Sequence, residues 1–289
     1  MISVVIPAFN EEKSIKDTII EIKNVMKKYK LDKGLEIIVV NDGSTDATAL
    51  IAKEQGATVI NNPTNMGYGF SLKRGIEVSK NETIVITDAD MTYPFDEVPK
   101  LIEKKNEGFD LVVGARTGKY YKQGLFKSIL RKLLKMVVEF VAEKKIKDVN
   151  SGLRVFDKSL VMKYYPRLCD TFSFTTSQTL AYFMNNHFVA YVDIDYKKRV
   201  GKSKIRLVKD SLISMKYILE SCIYYNPLKI FTSLSFICIL VSIISFIISH
   251  FTDIHAGYIL GIGLLLLSVI VFSTGLIAVM LKEIMDKDK

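Results

Sequence analysis

Two aspartates separated by a single residue follow an apolar run in the stretch ITDADMTYP at residues 86–94. In an extended chain the side chains at positions i and i+2 point to the same side, so the carboxylates of Asp88 and Asp90 can face one point. One interpretation is a solvated turn that Pro94 closes. The other is a divalent-cation site at the carboxyl end of a parallel strand, where open α/β sheets bind their ligands.

The elements around these aspartates predict an α/β fold with a mainly parallel sheet. Near-continuous Val/Ile runs alternate with amphipathic helical patterns, which is typical of parallel strands covered on both faces. Acidic and turn residues follow the first, second and fourth strands and should gather at one edge of the sheet. Strands are predicted at 2–6, 36–40, 57–60, 83–87 and 110–114, and helices at about 11–29, 46–55, 68–79 and 95–106.

The predicted ligand edge is acidic, and no Gly-rich loop with a following Lys-Ser/Thr pair precedes it. A nucleotide bound at such an edge requires a metal ion to bridge its phosphates. This requirement favours the metal-site interpretation of Asp88 and Asp90 over the solvated turn.

The charge of the chain is concentrated in two segments. The net charge is +9, from 40 Lys and Arg residues against 31 Asp and Glu. Residues 119–147 and 197–216 each carry an excess of seven positive charges. Aromatic residues do not interleave with these charges as a stacking platform would require, so nucleic-acid binding is not expected. Three cysteines without paired or metal-ligand spacing suit a reducing compartment.

The C-terminal part predicts a membrane anchor. Residues 230–249 and 256–281 contain no charged residue. Each segment is long enough to cross the hydrocarbon core of a bilayer, which requires a helix of about 20 residues. The alternative is a pair of buried helices in a soluble protein. Because the loop at 250–255 lacks Lys and Arg while lysines flank the other ends, the positive-inside rule places both termini and the bulk of the chain in the cytoplasm.

Two basic amphipathic helices are predicted before this anchor. In residues 124–143 the apolar positions lie on one side and Lys127, Arg131, Lys132 and Lys135 on the other, which suits a helix in the interface of an anionic membrane. A core helix is the alternative. A second such helix is predicted at about 205–223.

Seven motifs in a fixed order resemble glycosyltransferase family 2, whose members are inverting enzymes with the GT-A fold. The chain is similar to the polyprenyl-phosphate branch, which includes dolichyl-phosphate mannose synthase. The resemblance implies a catalytic domain at 1–204, a juxtamembrane helix at 205–228 and a transmembrane hairpin at 229–282. The motifs are VIPAFNEE (5–12), VVNDGSTD (39–46), NMGYG (65–69), DAD (88–90), GAR (114–116), SGLR (151–154) and RVGKSK (199–204).

The resemblance implies roles for the matching residues at the acidic edge. Asp88, Ala89 and Asp90 would bind the nucleotide diphosphate and Mg²⁺ or Mn²⁺, with Asp90 as the direct metal ligand. The base and ribose of a nucleotide sugar would be held by Pro7, Phe9, Glu11, Val40 and Asp42.

The resemblance also assigns the basic residues. Arg116 and Arg131 would meet the lipid phosphate, and Arg199 and Lys204 the diphosphate or the acceptor. Arginine suits these contacts because its planar fork pairs with two phosphate oxygens. Arg116 would thus act in catalysis beside Asp88 and Asp90.

The chain departs from the family pattern at two places. The mannose synthases carry Gln as a further metal ligand two residues after the second Asp, where this chain has Thr92. Many relatives carry a carboxylate near residues 174–182, where this chain reads FTTSQ at 174–178. A sugar hydroxyl needs a general base, whereas a phosphate monoester with a second pKa near about 6 is already anionic. The missing base favours a lipid-phosphate acceptor.

The predicted function is therefore metal-dependent transfer of one hexose, with inversion, from a UDP- or GDP-sugar to a polyprenyl phosphate at the cytoplasmic membrane face. A first alternative is a glycolipid or diacylglycerol hydroxyl acceptor, with Asp170 or Asp193 as the base. A second is a non-catalytic membrane scaffold with a degenerate transferase domain. The sequence leaves open a homo-oligomer, the sugar, the nucleotide base and the isoprenoid length.

Overall fold

The protein structure, a computed structural model, describes residues 1–118, 120–121, 125–199, 207–252 and 254–287. The chain divides into two compact units, Met1–Ile218 and Leu219–Lys289. The first contains a seven-stranded sheet with helices, and the second consists mainly of two long helices.

The sheet has the strand order β3-β2-β1-β4-β6-β5-β7. All neighbouring pairs are parallel except those of β6, which runs antiparallel to both β4 and β5. The five predicted strands are confirmed, and the sequence did not predict β6 or β7. The strands are β1 Ile2–Ala8, β2 Glu36–Asn41, β3 Thr58–Asn61, β4 Thr83–Ile86, β5 Leu111–Thr117, β6 Arg154–Asp157 and β7 Val189–Asp195.

Helices follow most of the strands, as the alternating pattern predicts. The first helix begins at Ile15, four residues later than predicted, and the helix predicted at 95–106 begins with a 3₁₀ turn, Phe95–Glu97. The helices are α1 Ile15–Lys28, α2 Thr48–Glu54, α3 Tyr68–Val78, α4 Val98–Asn106, α5 Leu125–Ala142, α6 Lys158–Tyr164, α7 Phe174–Met184, α8 Leu207–Tyr225, α9 Pro227–Thr252 and α10 His255–Lys287.

The strands β1, β2, β4 and β5 are buried on both faces of the sheet, which explains their continuous apolar runs. Alternate residues of β1 pack into a core with the apolar side of α1, including Ile15, Ile19 and Ile22. The opposite side of β1 meets α3 so closely that a Cβ at Gly75 would lie 2.3 Å from the Val5 side chain. These layers fix one edge of the sheet, where β1, β2, β4, β5 and β7 end and β6 begins.

The α5 helix has two apolar sides rather than the single one predicted. Val138 and Val141 are buried, whereas Ile129 (65% exposed) and Leu133 lie at the surface. Met136 and Phe140 continue the exposed side at helical spacing. The core interpretation therefore applies to one side of this helix, and the interface interpretation of the exposed side stays a prediction.

The helices α9 and α10 are long and apolar enough to cross a membrane, over Pro227–Thr252 and His255–Ile284. Small residues of α9 face α10, and their hydroxyls donate to backbone carbonyls of α10. Ser242 donates to Gly261 O at 2.6 Å and Ser245 to Gly257 O at 2.7 Å. Small residues allow such close helix packing in an apolar environment.

Candidate functional site

The loops after β1 and β2 are joined by hydrogen bonds. The backbone N–H of Asn10 donates to Ser44 Oγ at 2.9 Å, and that of Thr45 donates to Asn10 Oδ1 at 2.8 Å. Glu11 N donates to Thr48 Oγ1 at 2.8 Å. Of the residues predicted to hold a nucleotide, Pro7 and Val40 are paired across the two strands and buried, while Phe9 and Glu11 are half-buried in the first loop. The four residues therefore lie in one region at the ligand edge.

Asp42 holds the loop that contains the NMGYG motif. Its Oδ1 accepts hydrogen bonds from Asn62 Nδ2 at 2.7 Å and Met66 N at 2.9 Å, and its Oδ2 accepts one from Gly67 N at 2.9 Å. This buried carboxylate thus fixes the loop before α3. Its predicted contact with a nucleotide stays a prediction.

Asp90 is 3% exposed, and both of its carboxylate oxygens have partners. Oδ1 accepts hydrogen bonds from the backbone N–H and the hydroxyl of Thr92, at 3.1 and 2.5 Å. Oδ2 pairs with the Arg199 guanidinium at 2.7 Å. Thr92, at the position where the mannose synthases carry Gln, therefore orients the Asp90 carboxylate.

The neighbouring Asp88 is held by Tyr68, the first residue of α3. The Tyr68 hydroxyl donates to Asp88 Oδ1 at 3.0 Å, and its ring stacks on Phe172 with centroids 5.6 Å apart. Burial and the negative charge of Asp88 raise the pKa of Tyr68 well above its ordinary value, so the hydroxyl keeps its proton. A Cβ at Gly152 would lie only 2.8 Å from Asp88 Oδ1, so the glycine leaves room for this carboxylate.

The charge of this carboxylate pair is suited to a divalent cation. Burial and the nearby Asp90 raise the pKa of Asp88 to about 7. For Arg199, burial alone would lower the pKa, but Asp90, Tyr196 and Asp88 together outweigh it and raise the pKa above its ordinary value. Oδ2 of Asp90 is thus already directed at a cationic group, and a metal ion would relieve the repulsion between the two aspartates.

The residues present fit Mg²⁺ or Mn²⁺ when a nucleotide completes the ligand set. Within the described residues, no three His, Cys, Asp or Glu side chains form a group that could hold a metal ion alone. Mg²⁺ is usually bound by one or two carboxylates together with substrate phosphates and water. Asp88 and Asp90 would provide those carboxylates.

Arg116, at the end of β5, pairs with a carboxylate that sequence reasoning did not identify. Its Nε donates to Asp148 Oδ2 at 2.7 Å and its Nη2 to Asp148 Oδ1 at 2.9 Å. Burial opposes ionisation of Asp148, but Arg116 outweighs this and lowers the pKa of the carboxyl below its ordinary value. The only signal in the sequence is the position of Asp148 three residues before Ser151, the first residue of the SGLR motif, after a basic segment.

Arg131, from α5, reaches the same place as Arg116. The guanidinium carbons of Arg116 and Arg131 lie 5.0 and 4.7 Å from the centroid of the Tyr121 ring. Arg131 Nη1 also donates to the backbone carbonyl of Tyr121 at 2.6 Å. Two of the predicted acceptor residues are thus brought together on one ring, whereas Lys204 lies outside the described residues.

The carboxylates considered as general bases are engaged in ion pairs. Asp170 lies 2.7 Å from the nearly buried Lys73, and Asp193 pairs with Lys147 at 3.1 Å on the surface. The start of α7 carries buried Thr and Ser side chains and Gln178 instead of a carboxylate. Gln178 Oε1 accepts a 3.3 Å hydrogen bond from the fully buried Arg154.

Comparisons with known proteins agree with this architecture. A family model described as Glycosyl transferase family 2 matches residues 3–165. An undecaprenyl-phosphate 4-deoxy-4-formamido-L-arabinose transferase from Pectobacterium atrosepticum is 28% identical over 247 residues, which cover 79% of this chain and 69% of the relative. The corresponding transferase from Yersinia enterocolitica is 27% identical over 244 residues, with the same coverage.

Solved structures confirm the predicted GT-A fold. Glucosyl-3-phosphoglycerate synthase from Mycobacterium tuberculosis, in complex with Mn²⁺, UDP and phosphoglyceric acid, aligns with a TM-score of 0.63 and 22% identity over 77% of this chain and 78% of that one. The same enzyme with Mg²⁺ and UDP gives a TM-score of 0.62 at 22% identity, over 77% and 79% of the two chains.

Proposed function

The chain belongs to glycosyltransferase family 2, and from this premise we propose that it transfers a single hexose from a UDP- or GDP-sugar to a polyprenyl phosphate. The transfer takes place at the cytoplasmic face of a membrane and inverts the anomeric carbon. The names of the relatives from Pectobacterium and Yersinia, which act on undecaprenyl phosphate, support this acceptor class. The Mn²⁺, Mg²⁺ and UDP bound by the structural neighbours support a metal-dependent nucleotide-sugar donor.

The observation that carries the proposal is the arrangement of charge at the ligand edge. A carboxylate pair follows β4, and two arginines share the Tyr121 ring after β5. A phosphate acceptor arrives as an anion and needs cations rather than a base. A hydroxyl acceptor would need a free carboxylate near the sugar. Both carboxylates suggested for that role, Asp170 and Asp193, are ion-paired.

In the proposed reaction, Asp88 and Asp90 are the residues that would hold a divalent cation. That cation would neutralise negative charge that develops on the departing nucleoside diphosphate. Tyr68 and Thr92 orient the two carboxylates. Arg199, beside Asp90, supplies a further positive charge toward the diphosphate.

The acceptor phosphate is oriented by the arginines, so that its oxygen attacks the anomeric carbon opposite the leaving group. A single displacement of this kind inverts the configuration. Pro7, Phe9, Glu11 and Val40 surround the nucleoside in this proposal.

We further propose that the protein is anchored by α9 and α10, with both termini in the cytoplasm. Residues 250–255, where α9 ends and α10 begins, include no Lys or Arg, while Lys229, Lys282 and Lys287 lie toward the opposite helix ends. The exposed apolar side of α5 would enter the headgroup region. In α8, the apolar side chains of Leu219 and Ile223 are exposed as well.

The test is release of nucleoside diphosphate by the purified full chain in detergent micelles. UDP- and GDP-hexoses and a UDP-linked 4-amino-pentose derivative are each offered with undecaprenyl phosphate or diacylglycerol, with Mn²⁺ or with EDTA. Turnover is expected only with the lipid phosphate and metal, and proton NMR of the product should show an inverted anomeric centre. Transfer to diacylglycerol alone, or equal release in EDTA, would contradict the proposal.

A further inference from the structure

The segment at residues 169–172, which precedes α7, lies directly on the first turn of α3. The backbone N–H of Phe70 donates to the carbonyl oxygen of Asp170 at 2.8 Å. A Cβ at Gly69 would lie only 2.2 Å from the carbonyl oxygen of Cys169, so the close approach requires glycine there. The last glycine of the NMGYG motif is therefore explained by a distant part of the chain that packs on its backbone.

Two contacts that involve side chains hold the same segment in place. The Asp170 carboxylate pairs with the buried Lys73 of α3 at 2.7 Å. The backbone N–H of Cys169 donates to the hydroxyl of Ser177, in α7, at 3.0 Å. The segment is thus tied to both α3 and α7, and Phe172 at its end has fixed neighbours.

Phe172 is the exposed aromatic residue of this segment. Its ring stacks on that of Tyr68, with the planes 14° apart and the centroids 5.6 Å apart, so one face of the Phe172 ring is covered. Phe172 nevertheless remains 38% exposed, whereas Phe174, two residues further along the chain, is completely buried. The part of the ring that Tyr68 does not cover is therefore accessible to a ligand.

The stack places Phe172 beside the donor position of the proposed reaction. The Tyr68 hydroxyl donates to Asp88 Oδ1 at 3.0 Å, so a single tyrosine side chain separates Phe172 from that carboxylate. Asp88 and Asp90 would hold the cation and the diphosphate, and the sugar is bonded to this diphosphate through its anomeric carbon. The proposed nucleoside contacts come from β1, β2 and the loop after β1, so they do not use the Phe172 ring.

The chemistry of an aromatic face suits a sugar ring. Such a face combines a large apolar area with partial negative charge. It therefore attracts the polarised C–H groups on one face of a pyranose, while the hydroxyl groups at the rim of the sugar stay free for polar partners. A few polar groups around an apolar wall are typical of sites that bind small molecules.

We propose that Phe172 is a donor-binding residue whose ring packs against the pyranose ring of the nucleotide sugar. This inference rests on the proposed function. Tyr68 supports the Phe172 ring and orients Asp88, so the sugar contact and the diphosphate contact meet at one tyrosine. The Phe172 contact adds to binding of the sugar and leaves binding of the nucleoside diphosphate unchanged.

The test compares two affinities measured by calorimetry with Mn²⁺, one for the nucleotide sugar and one for UDP or GDP alone. The nucleotide sugar is the UDP- or GDP-hexose that wild type turns over fastest. Phe172→Ala should weaken binding of the nucleotide sugar by about threefold to about tenfold, the size typical of a contact with an aromatic ring. The affinity for UDP or GDP should stay within about twofold of wild type, and KM for undecaprenyl phosphate should not change.

Three variants separate contact with the sugar from support of the carboxylate. Phe172→Tyr keeps the ring face and should retain the wild-type affinity for the nucleotide sugar. Tyr68→Phe keeps the stack but removes the hydrogen bond to Asp88, so it should weaken binding of the nucleoside diphosphate and of the nucleotide sugar alike. Phe188→Ala is the matched control and should bind both as wild type does, because Phe188 is 68% exposed and directly precedes β7 at the opposite edge of the sheet.

Three outcomes for Phe172→Ala would overturn the inference: an equal loss of affinity for the nucleoside diphosphate and the nucleotide sugar, an unchanged affinity for the nucleotide sugar, or a loss confined to undecaprenyl phosphate. If Phe172→Ala does not fold, Phe172→Leu gives the same comparison, because leucine keeps apolar bulk over Tyr68 without an aromatic face. If wild type turns over no nucleotide sugar with the lipid phosphate, the proposed function falls. Wild-type turnover together with an unchanged affinity for the nucleotide sugar in Phe172→Ala removes this inference alone.

Discussion

Replacing Gly152 with alanine adds one methyl group at the tightest point of the carboxylate pair. The new Cβ would lie 2.8 Å from Asp88 Oδ1, 3.2 Å from its Cγ and 2.9 Å from the Tyr68 hydroxyl oxygen. Real Cβ atoms essentially never approach other heavy atoms within 3.0 Å, so these side chains must move. Gly152 is not among the residues with positive φ, so its backbone accepts alanine without strain.

The expected loss follows from the hydrogen bond that this movement breaks. Tyr68 donates to Asp88 at 3.0 Å, and with a divalent cation bound, when this carboxyl is ionised, a hydrogen bond to it contributes about 1.5–3 kcal/mol. Its loss corresponds to a decrease of about tenfold to about a hundredfold in kcat/KM or in metal–nucleotide affinity. Overpacking should lower the free energy of unfolding by about 1–3 kcal/mol. Alanine also reduces the conformational entropy of the unfolded chain, which raises the free energy of unfolding by about 0.4–1 kcal/mol, so the variant should remain folded.

Calorimetry of UDP or GDP with Mn²⁺, together with kcat/KM for the full reaction, measures this loss. Tyr68→Phe removes the donor without adding a methyl group, so it should reproduce most of the effect. Gly263→Ala is the control, because a Cβ there meets nothing within 4 Å. Wild-type metal-dependent turnover in Gly152→Ala would refute the role given to this close contact.

Three further predictions concern other parts of the chain. Asp90→Asn should abolish metal-dependent turnover while circular dichroism stays unchanged, because the amide lacks the charge that holds a divalent cation; near-normal Mn²⁺ binding by electron paramagnetic resonance would contradict it. Changing Leu133 and Met136 to Glu should weaken association with anionic liposomes at unchanged stability, whereas Val138→Glu on the buried side of the same helix should unfold the domain. Gly261→Val should lower the melting temperature in detergent, because a Cβ added at residue 261 would lie 2.6 Å from the Phe246 ring. Gly263→Val should not lower it, because a Cβ added there meets nothing within 4 Å.

Much of the fold can be predicted from local pattern. The strands β1, β2, β4 and β5 are buried on both faces and read as apolar runs, so their parallel direction follows from the intervening helices. β6 and β7 carry no such run. Arg154 stands at the start of β6, and β7 reads VAYVDID with acidic residues at alternate positions. Their place in the sheet depends on pairing with distant strands, such as Arg154 with Ile86 and with Val113.

The candidate site likewise has one part that the sequence predicts and one part that it does not. The DAD motif and its position after β4 could be predicted, because both lie within a few residues of a clear strand. The partners that orient the site could not. Asp148 is 32 positions from Arg116, and Tyr68 is 20 positions from Asp88. Such pairs depend on how two elements pack against each other. The hydrophobic periodicity of either element alone gives no information about that packing.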